Sequence, residues 1–361
     1  MSISKKSTSV DSIMLTLILI LTVLGLIILL SVSEYNGRVR FNDSAYYFKK
    51  QLFASSLGLF VMYFIASIDY HFFVQLAPIA YLISLLLSTA VLLFGQEING
   101  SKRWLNLGAL SFQPSEFAKV AIILFLTWQI EKTRKRTDGF WFMCRTMLSL
   151  LPIIGLVGSN NLSTAIIILG IGIVLIFASS SHYIHFLALG GIGIGFITVF
   201  LAAESYRLER LAIWRNPEKY EKGFQTIQGL YAIGSGGLFG RGIGSSIQKL
   251  GFVPEAQNDM IFSIICEEMG LVGAIFLILL FTLLLWRLCI TSLHSQSLSG
   301  ALISAGIMGH LAIQVILNIA VVTNTIPNTG ITLPFISYGG TSIVFLLGEM
   351  GLALNISRHR H

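Results

Sequence analysis

Long apolar runs separated by short polar segments dominate this sequence. A helix that crosses a lipid bilayer needs about 20 largely apolar residues, and the chain of 361 residues supplies such runs repeatedly. The pattern predicts about ten transmembrane helices, over residues 12–32, 51–67, 73–94, 115–130, 141–158, 162–179, 183–202, 259–286, 300–321 and 333–356. The expected fold is therefore an all-α integral membrane protein, a polytopic bundle that forms one domain over residues 1–361.

Two segments between the predicted helices are too long and too polar to be simple turns. Residues 95–115 are Gly-rich and include Lys102, Arg103 and Trp104. Residues 203–258 form the one large loop, with seven Lys or Arg and five Glu. Long loops without secondary structure usually carry function. The large loop is therefore the first place to expect chemistry, with a solvated connector as the alternative.

Composition and charge narrow the class of protein further. Apolar residues make up 54% of the chain and charged residues 11%, against about a quarter charged in soluble domains. The net charge of +7 is spread over many loops, which suits anionic lipid headgroups and argues against a nucleic-acid partner. The three cysteines, all in apolar runs, give no metal-binding or disulfide pattern: Cys144, Cys266 and Cys289.

The distribution of positive charge predicts an orientation. An even number of spans places both termini on the same side of the membrane. Nine Lys or Arg lie in the tails and short loops of that side, and six lie in the short loops of the other side. Because positively charged short loops stay in the cytoplasm, the bias predicts cytoplasmic termini and an extracellular large loop.

Asp259 is the first candidate for chemistry, because it directly follows the large loop and opens the eighth apolar run. One interpretation is a helix cap beside Asn258, since an acidic residue is favoured at a helix start. The other is a carboxylate at the membrane boundary that accepts a proton. The pattern alone leaves both open.

Further polar residues lie inside the apolar runs, where ionisable groups normally have partners. Glu267 and Glu268 are expected to be structural, as is the lone His310. Glu116 and Lys119 are three residues apart and share a helix face. They are expected to form an ion pair, which is compatible with an ammonium aimed at a lipid phosphate.

A glycine-rich stretch, residues 234–244, matches neither the dinucleotide-binding nor the P-loop pattern. It could present backbone N–H groups and Arg241 to a diphosphate. The alternative is that these glycines serve backbone conformation alone.

Five motifs in order resemble the SEDS family (shape, elongation, division and sporulation). They cover residues 99–108, 112–119, 223–228 with 234–244, 254–259 with 267–270, and 327–342. The resemblance extends over essentially the whole chain. It implies a ten-helix peptidoglycan glycosyltransferase, similar to FtsW, RodA and SpoVE, that polymerises lipid II outside the bacterial cytoplasmic membrane beside a class B penicillin-binding transpeptidase. The 257–259 and 354–358 segments resemble the division and sporulation branches.

The resemblance also implies roles for particular residues. Asp259 matches the family's essential aspartate and would act as the base toward a sugar 4-hydroxyl. The substrate- and diphosphate-binding positions that it implies are Arg103, Lys119, Arg210, Lys50 and Glu116. No metal-ligand cluster is present, although a divalent cation on the diphosphate is compatible with this chemistry. A lipid-linked precursor transporter and a non-catalytic scaffold remain the alternative functions.

The sequence departs from the family at one position. The family usually reads Asp-Leu-Gly-Thr after the fifth span, whereas this chain reads Asn161-Leu-Ser-Thr164. An amide therefore replaces a carboxylate. Any role of that aspartate as a base or a cation ligand is in doubt here, although Asn161 can still hydrogen-bond a sugar or a backbone group.

Overall fold

The computed structural model describes residues 10–98, 101–107, 110–133, 140–180 and 211–359, together with four glycines between 190 and 195. The longer helices within this part of the chain are α1 (Ser12–Phe41), α2 (Tyr46–Ser67), α3 (Tyr70–Phe94), α4 (Pro114–Lys132), α5 (Phe140–Asn160), α6 (Leu162–Ser179), α7 (Phe224–Gly236), α8 (Ile261–Leu293), α9 (Leu298–Val322) and α10 (Gly340–Ser357).

Eight of the described helices are long and apolar enough to cross a membrane, namely α1, α2, α3, α5, α6, α8, α9 and α10. Helix α4 also packs within the bundle, against α3, α6 and α9, although it carries Glu116, Lys119, Glu131 and Lys132. The predicted span at 183–202 lies outside the described residues, four glycines excepted. The predicted all-α, multi-pass membrane bundle is confirmed.

Some helices begin or end away from the predicted bounds. Helix α1 continues to Phe41, beyond the apolar run, and its polar last turns carry an ion pair of 3.2 Å between Arg38 and Glu34. Helix α10 begins at Gly340 rather than at residue 333. The segment before it is apolar and buried, with Leu333 and Ile336 in the core, yet it is not helical. Hydropathy therefore located the buried segment and not its conformation.

A small antiparallel sheet joins α3 to α4, which the sequence pattern did not predict. Its strands are β1 (Gln96–Ile98), β2 (Ser101–Leu107) and β3 (Leu110–Phe112), in the order β1-β2-β3. In the backbone register, Glu97 on β1 lies opposite Lys102 on β2, and Leu105 on β2 lies opposite Phe112 on β3. The sheet places Arg103 near the middle of β2, on a fixed backbone rather than a mobile loop.

The glycine-rich stretch runs from the last turn of α7 into the following loop and packs against a break in α8. Gly270 has a φ of 65°, so the helix backbone is interrupted there. The carbonyls of Glu267 and Glu268 instead accept hydrogen bonds from the N–H groups of Arg241 and Gly242, each 2.9 Å long. A Cβ at Gly240 would lie 2.2 Å from the Glu268 carbonyl oxygen. These contacts favour the conformational interpretation of the glycines, because the N–H groups of Gly240, Arg241 and Gly242 already donate to backbone carbonyls.

The side chains of Glu267 and Glu268 hold the residues that follow this stretch to the bundle, which confirms their predicted structural role. Glu267 accepts hydrogen bonds from the Ser246 hydroxyl and from the Ile247 N–H, the latter at 3.1 Å. Glu268 pairs with Lys249 at 2.7 Å, and both side chains are buried.

Lys249→Met should destabilise the folded protein by roughly 3–5 kcal/mol, because it leaves the buried Glu268 carboxylate without its cation. Thermal unfolding in detergent measures the loss. The matched control is Lys49→Met, since Lys49 pairs with Asp43 at 2.8 Å in an exposed position and its loss should change the unfolding temperature little. Equal losses for the two variants would contradict a structural role for the buried pair.

Candidate functional site

Asp259 lies in an irregular turn ahead of α8, which begins at Ile261. The N-cap residue of α8 is Met260, and no side-chain hydrogen bond caps this helix within the described residues. The helix-cap interpretation of Asp259 is therefore not supported. Asp259 is buried, with 8% of the residue exposed, and its Oδ1 accepts a hydrogen bond of 3.5 Å from Gln225 Nε2.

Arg103 and Asp259 face the same small space beside Gly330. A Cβ placed on Gly330 would lie 3.8 Å from Arg103 Nη1 and 3.9 Å from Asp259 Oδ2. Gly330 has a φ of 70°, a conformation that favours glycine, and its missing side chain keeps this space open. Arg103 Nε also donates to the carbonyl of Asn160 at 3.3 Å, which ties β2 to the end of α5. The structure thus brings together a carboxylate and a guanidinium that lie 156 positions apart in the sequence.

Glu116 and Lys119 form the predicted ion pair, at 2.9 Å, with 10% and 3% of their side chains exposed. The Ser342 hydroxyl donates to Glu116 at 2.9 Å, and Lys119 Nζ donates to Gln314 Oε1 at 3.2 Å. Gln314 Nε2 in turn donates to the Thr332 carbonyl at 3.1 Å. The pair is therefore confirmed, and it supports the segment that carries Gly330. Contact of Lys119 with a phosphate stays a prediction.

Glu116→Gln should lower thermal stability in detergent, because Lys119 is then buried without its carboxylate, and losing one partner of such a pair costs roughly 3–5 kcal/mol. Lys119→Met on that background should restore part of the loss. The measurement is a double-mutant cycle of unfolding free energies. Additive losses would mean that the two side chains are not coupled.

The N-terminal part of α2 contributes one exposed and one buried polar residue. Lys50 is exposed, with its Nζ 4.6 Å from the centre of the Tyr46 ring. Gln51 is buried, donates to the Ser337 carbonyl at 3.4 Å and accepts from the Gly339 N–H at 3.0 Å. Gln51 therefore holds the segment before α10, whereas Lys50 reaches the surface. Arg210, the remaining predicted cation, lies outside the described residues.

A cleft that Arg103 also lines lies between α3, β2, α4 and α5. Cationic and polar side chains mix with apolar ones in its lining, which comprises Ser88, Val91, Lys102, Arg103, Pro114, Ser115, Leu156, Val157, Asn160 and Asn161. Arg103 thus lines this cleft and also lies near the space beside Gly330 that Asp259 faces. No group of three or more metal-ligating side chains occurs in the part of the chain that the structure describes.

The contacts of Asn161 show what an asparagine can do at this position, where the family usually has an aspartate. Its Oδ1 accepts a hydrogen bond of 3.2 Å from the Thr164 N–H and caps α6. Asn and Asp are about equally good caps, so this structural function survives the replacement of a carboxylate by an amide.

Three further polar residues surround Asp259 that sequence reasoning gave no role. Gln225 Oε1 accepts from Asn328 Nδ2 at 3.0 Å, and Asn328 Oδ1 accepts from the Gly330 N–H at 3.0 Å. Asn318 Nδ2 donates to the Asp259 carbonyl at 2.9 Å. Gln225 and Asn328 fall in motifs that the resemblance covers. Asn318 lies in an apolar run with no signal beyond its polarity.

The fold and this site define a multi-pass membrane protein with a buried carboxylate beside a guanidinium. The family model FTSW_RODA_SPOVE, described as cell cycle protein, matches residues 11–361. This chain belongs to that family.

The sequences of individual relatives align with this chain over almost its full length. The chain is 39% identical to stage V sporulation protein E of Bacillus subtilis, with 98% of each chain covered. It is 34% identical to a probable peptidoglycan glycosyltransferase FtsW of Trichlorobacter lovleyi, covering 96% of this chain and 93% of that protein.

Solved structures also share the fold. A chain from a peptidoglycan synthase complex that coordinates polymerization and crosslinking has a TM-score of 0.83 at 30% identity, with 98% of this chain and 99% of that chain covered. The rod shape determining protein RodA of Thermus thermophilus has a TM-score of 0.73 at 29% identity, with 98% of each chain covered.

Proposed function

We propose that this chain, a peptidoglycan glycosyltransferase of the FtsW, RodA and SpoVE family, polymerises lipid II with Asp259 as its base. The observation that carries the proposal is the shared space at Gly330, which both Asp259 Oδ2 and Arg103 Nη1 face. The reaction needs a proton acceptor at the attacking hydroxyl and positive charge at the leaving diphosphate. These two side chains supply both.

In the proposed step, the acceptor sugar 4-hydroxyl attacks the anomeric carbon of the donor. Asp259 takes the hydroxyl proton as the new C–O bond forms. The bond from the anomeric carbon to the lipid diphosphate breaks, and the diphosphate leaves with the electron pair. Arg103 can hold phosphate oxygens with two parallel hydrogen bonds, which stabilises the charge that develops there.

The other predicted cations take supporting roles in this proposal. Lys102, which was not among the predicted binding residues, lines the cleft beside Arg103 and adds positive charge on that flank. Lys50 and Arg210 would meet headgroups at the outer rim. The Glu116–Lys119 pair supports the Gly330 segment through Gln314.

The proposal includes a location and a partner. The positive charge of the short loops supports a bacterial cytoplasmic membrane with both termini in the cytoplasm and with Asp259 at the outer face. A relative of known structure belongs to a complex that couples polymerization to crosslinking. This supports a class B penicillin-binding transpeptidase as the partner, in division or sporulation.

Purified protein incubated with labelled lipid II tests the proposal. Glycan polymer on a gel is the expected result. Movement of lipid II across vesicle membranes without polymer would indicate a transporter. If neither polymer nor movement of lipid II is observed, the protein is a scaffold. Chelating divalent cations in the same assay tests whether a cation assists at the diphosphate, in which case the rate should fall.

A further inference from the structure

Helix α9 presents three polar side chains to the interior at four-residue spacing, so that they share one face. His310, Gln314 and Asn318 are all buried. His310 Nδ1 lies 2.8 Å from Glu349 Oε2 on α10, as expected for an interhelical histidine. Gln314 reaches Thr332, as described above. Asn318 is the member of this face that touches the Asp259 turn.

The amide of Asn318 joins two segments that meet at the site. Its Nδ2 donates to the Asp259 carbonyl at 2.9 Å and to the Ile331 carbonyl at 2.7 Å. Ile331 directly follows Gly330, which lies between the carboxylate and Arg103. The Asn318 side chain, which has no exposed surface, therefore holds both the turn that carries the Asp259 carboxylate and the Gly330–Ile331 segment beside it.

The turn precedes α8, which begins at Ile261, and its internal backbone hydrogen bond runs from the Asn258 N–H to the Glu255 carbonyl at 2.9 Å. Its three successive carbonyls are each held from outside the turn. The Gln257 carbonyl accepts from the Tyr338 N–H at 2.9 Å, and the Asn258 carbonyl accepts from the Ser337 hydroxyl at 2.6 Å. The Asp259 carbonyl is held by Asn318, from a membrane helix, at the residue that carries the carboxylate.

We infer that Asn318 is a positioning residue for the catalytic carboxylate. The inference rests on the proposed role of Asp259 as the base. A residue that only stabilised the bundle would affect folding, whereas a positioning residue affects the geometry of the reacting groups. A displacement of about 1 Å at a reacting group can cost about 10²-fold in rate. Loss of the Asn318 amide should therefore lower kcat and leave lipid II binding nearly intact.

Two variants and one control test this. Asn318→Leu keeps the number of side-chain heavy atoms and the branch at Cγ, and it removes both donated hydrogen bonds. Asn318→Gln keeps the amide donor but displaces it by one methylene. The control is Asn355→Leu, because Asn355 is also buried and holds backbone groups, with Nδ2 2.9 Å from the Ala66 carbonyl and Oδ1 3.1 Å from the Tyr70 nitrogen.

The measurement is kcat and KM for lipid II polymerisation, per mole of folded protein, beside thermal stability. We expect kcat to fall about 10²-fold for Asn318→Leu with KM within about twofold. Asn318→Gln should give an intermediate kcat. Asn355→Leu should lose comparable thermal stability and keep kcat within about twofold of wild type.

Other outcomes separate the inference from the proposed function. If Asn318→Leu keeps the kcat of the control, or loses activity only through KM, the positioning role is wrong. If Asn318→Leu does not fold, Asn318→Gln decides, and wild-type kcat in that variant overturns the role. If Asp259→Asn retains wild-type kcat, the proposed base itself fails, whatever the variants at position 318 show.

Discussion

Asp259→Asn should abolish polymer formation while the protein stays folded and inserted in the membrane. The two side chains have nearly the same shape, and an asparagine Oδ1 can still accept the hydrogen bond from Gln225. The bond from Asn318 goes to the backbone carbonyl, which the substitution keeps. An amide cannot take a proton from the acceptor hydroxyl, so the rate should fall about 10²–10⁴-fold. Polymer yield per mole of folded protein is the measurement.

The matched control is Asp43→Asn. Asp43 is an aspartate in the turn between α1 and α2, where it accepts hydrogen bonds from the Ala45 N–H at 3.0 Å and from Lys49 at 2.8 Å. Its loss should leave the polymer yield unchanged. A wild-type yield from Asp259→Asn would end the assignment of Asp259 as the base.

Arg103→Lys should cut polymerisation by about tenfold to a hundredfold, because hydrogen bonds to charged groups contribute about 1.5–3 kcal/mol. A guanidinium grips phosphate oxygens with two hydrogen bonds, whereas a lysine presents one point charge. The loss of stability should be smaller, because lysine keeps a positive charge at this position. Rates and unfolding temperatures of the same preparations measure the two effects.

Two contrasting variants accompany this prediction. Arg38→Lys makes the same change at an exposed arginine that pairs with Glu34 and should leave the rate unchanged. Exchanging four basic residues of the α4–α5 connection for Gln should affect topology or abundance rather than turnover: Lys132, Arg134, Lys135 and Arg136. If either contrasting variant loses as much turnover as Arg103→Lys does, the assignment of Arg103 to the phosphate site is wrong.

The sequence predicted the bundle well because hydropathy reports directly on residence in the membrane. It did not predict α7, whose 13 residues include Gly229, Gly234 and Gly236. Glycine disfavours helices, but close packing requires it at Gly236. A Cβ there would lie 1.9 Å from the Cys266 carbonyl oxygen, which belongs to the backbone of α8. Tertiary packing thus overrides local propensity in this segment.

The candidate site was predicted in part. Asp259 and Arg103 were selected by type, position and resemblance, and the structure brings them to one space. The residues that hold them were not predicted, because a buried amide such as Asn318 acts through backbone carbonyls. Those contacts form only when the fold brings distant backbone segments beside α9, so the residue type alone does not reveal them. The start of α8 two residues after Asp259 was missed for a similar reason.

A structure of the Asp259→Asn variant with lipid II bound tests the central claim most directly. We expect the donor diphosphate at the Arg103 guanidinium. The acceptor 4-hydroxyl should lie within about 3.2 Å of the side chain at position 259, as proton transfer requires. A diphosphate bound away from Arg103, with the acceptor hydroxyl out of hydrogen-bond reach of position 259, would contradict the mechanism.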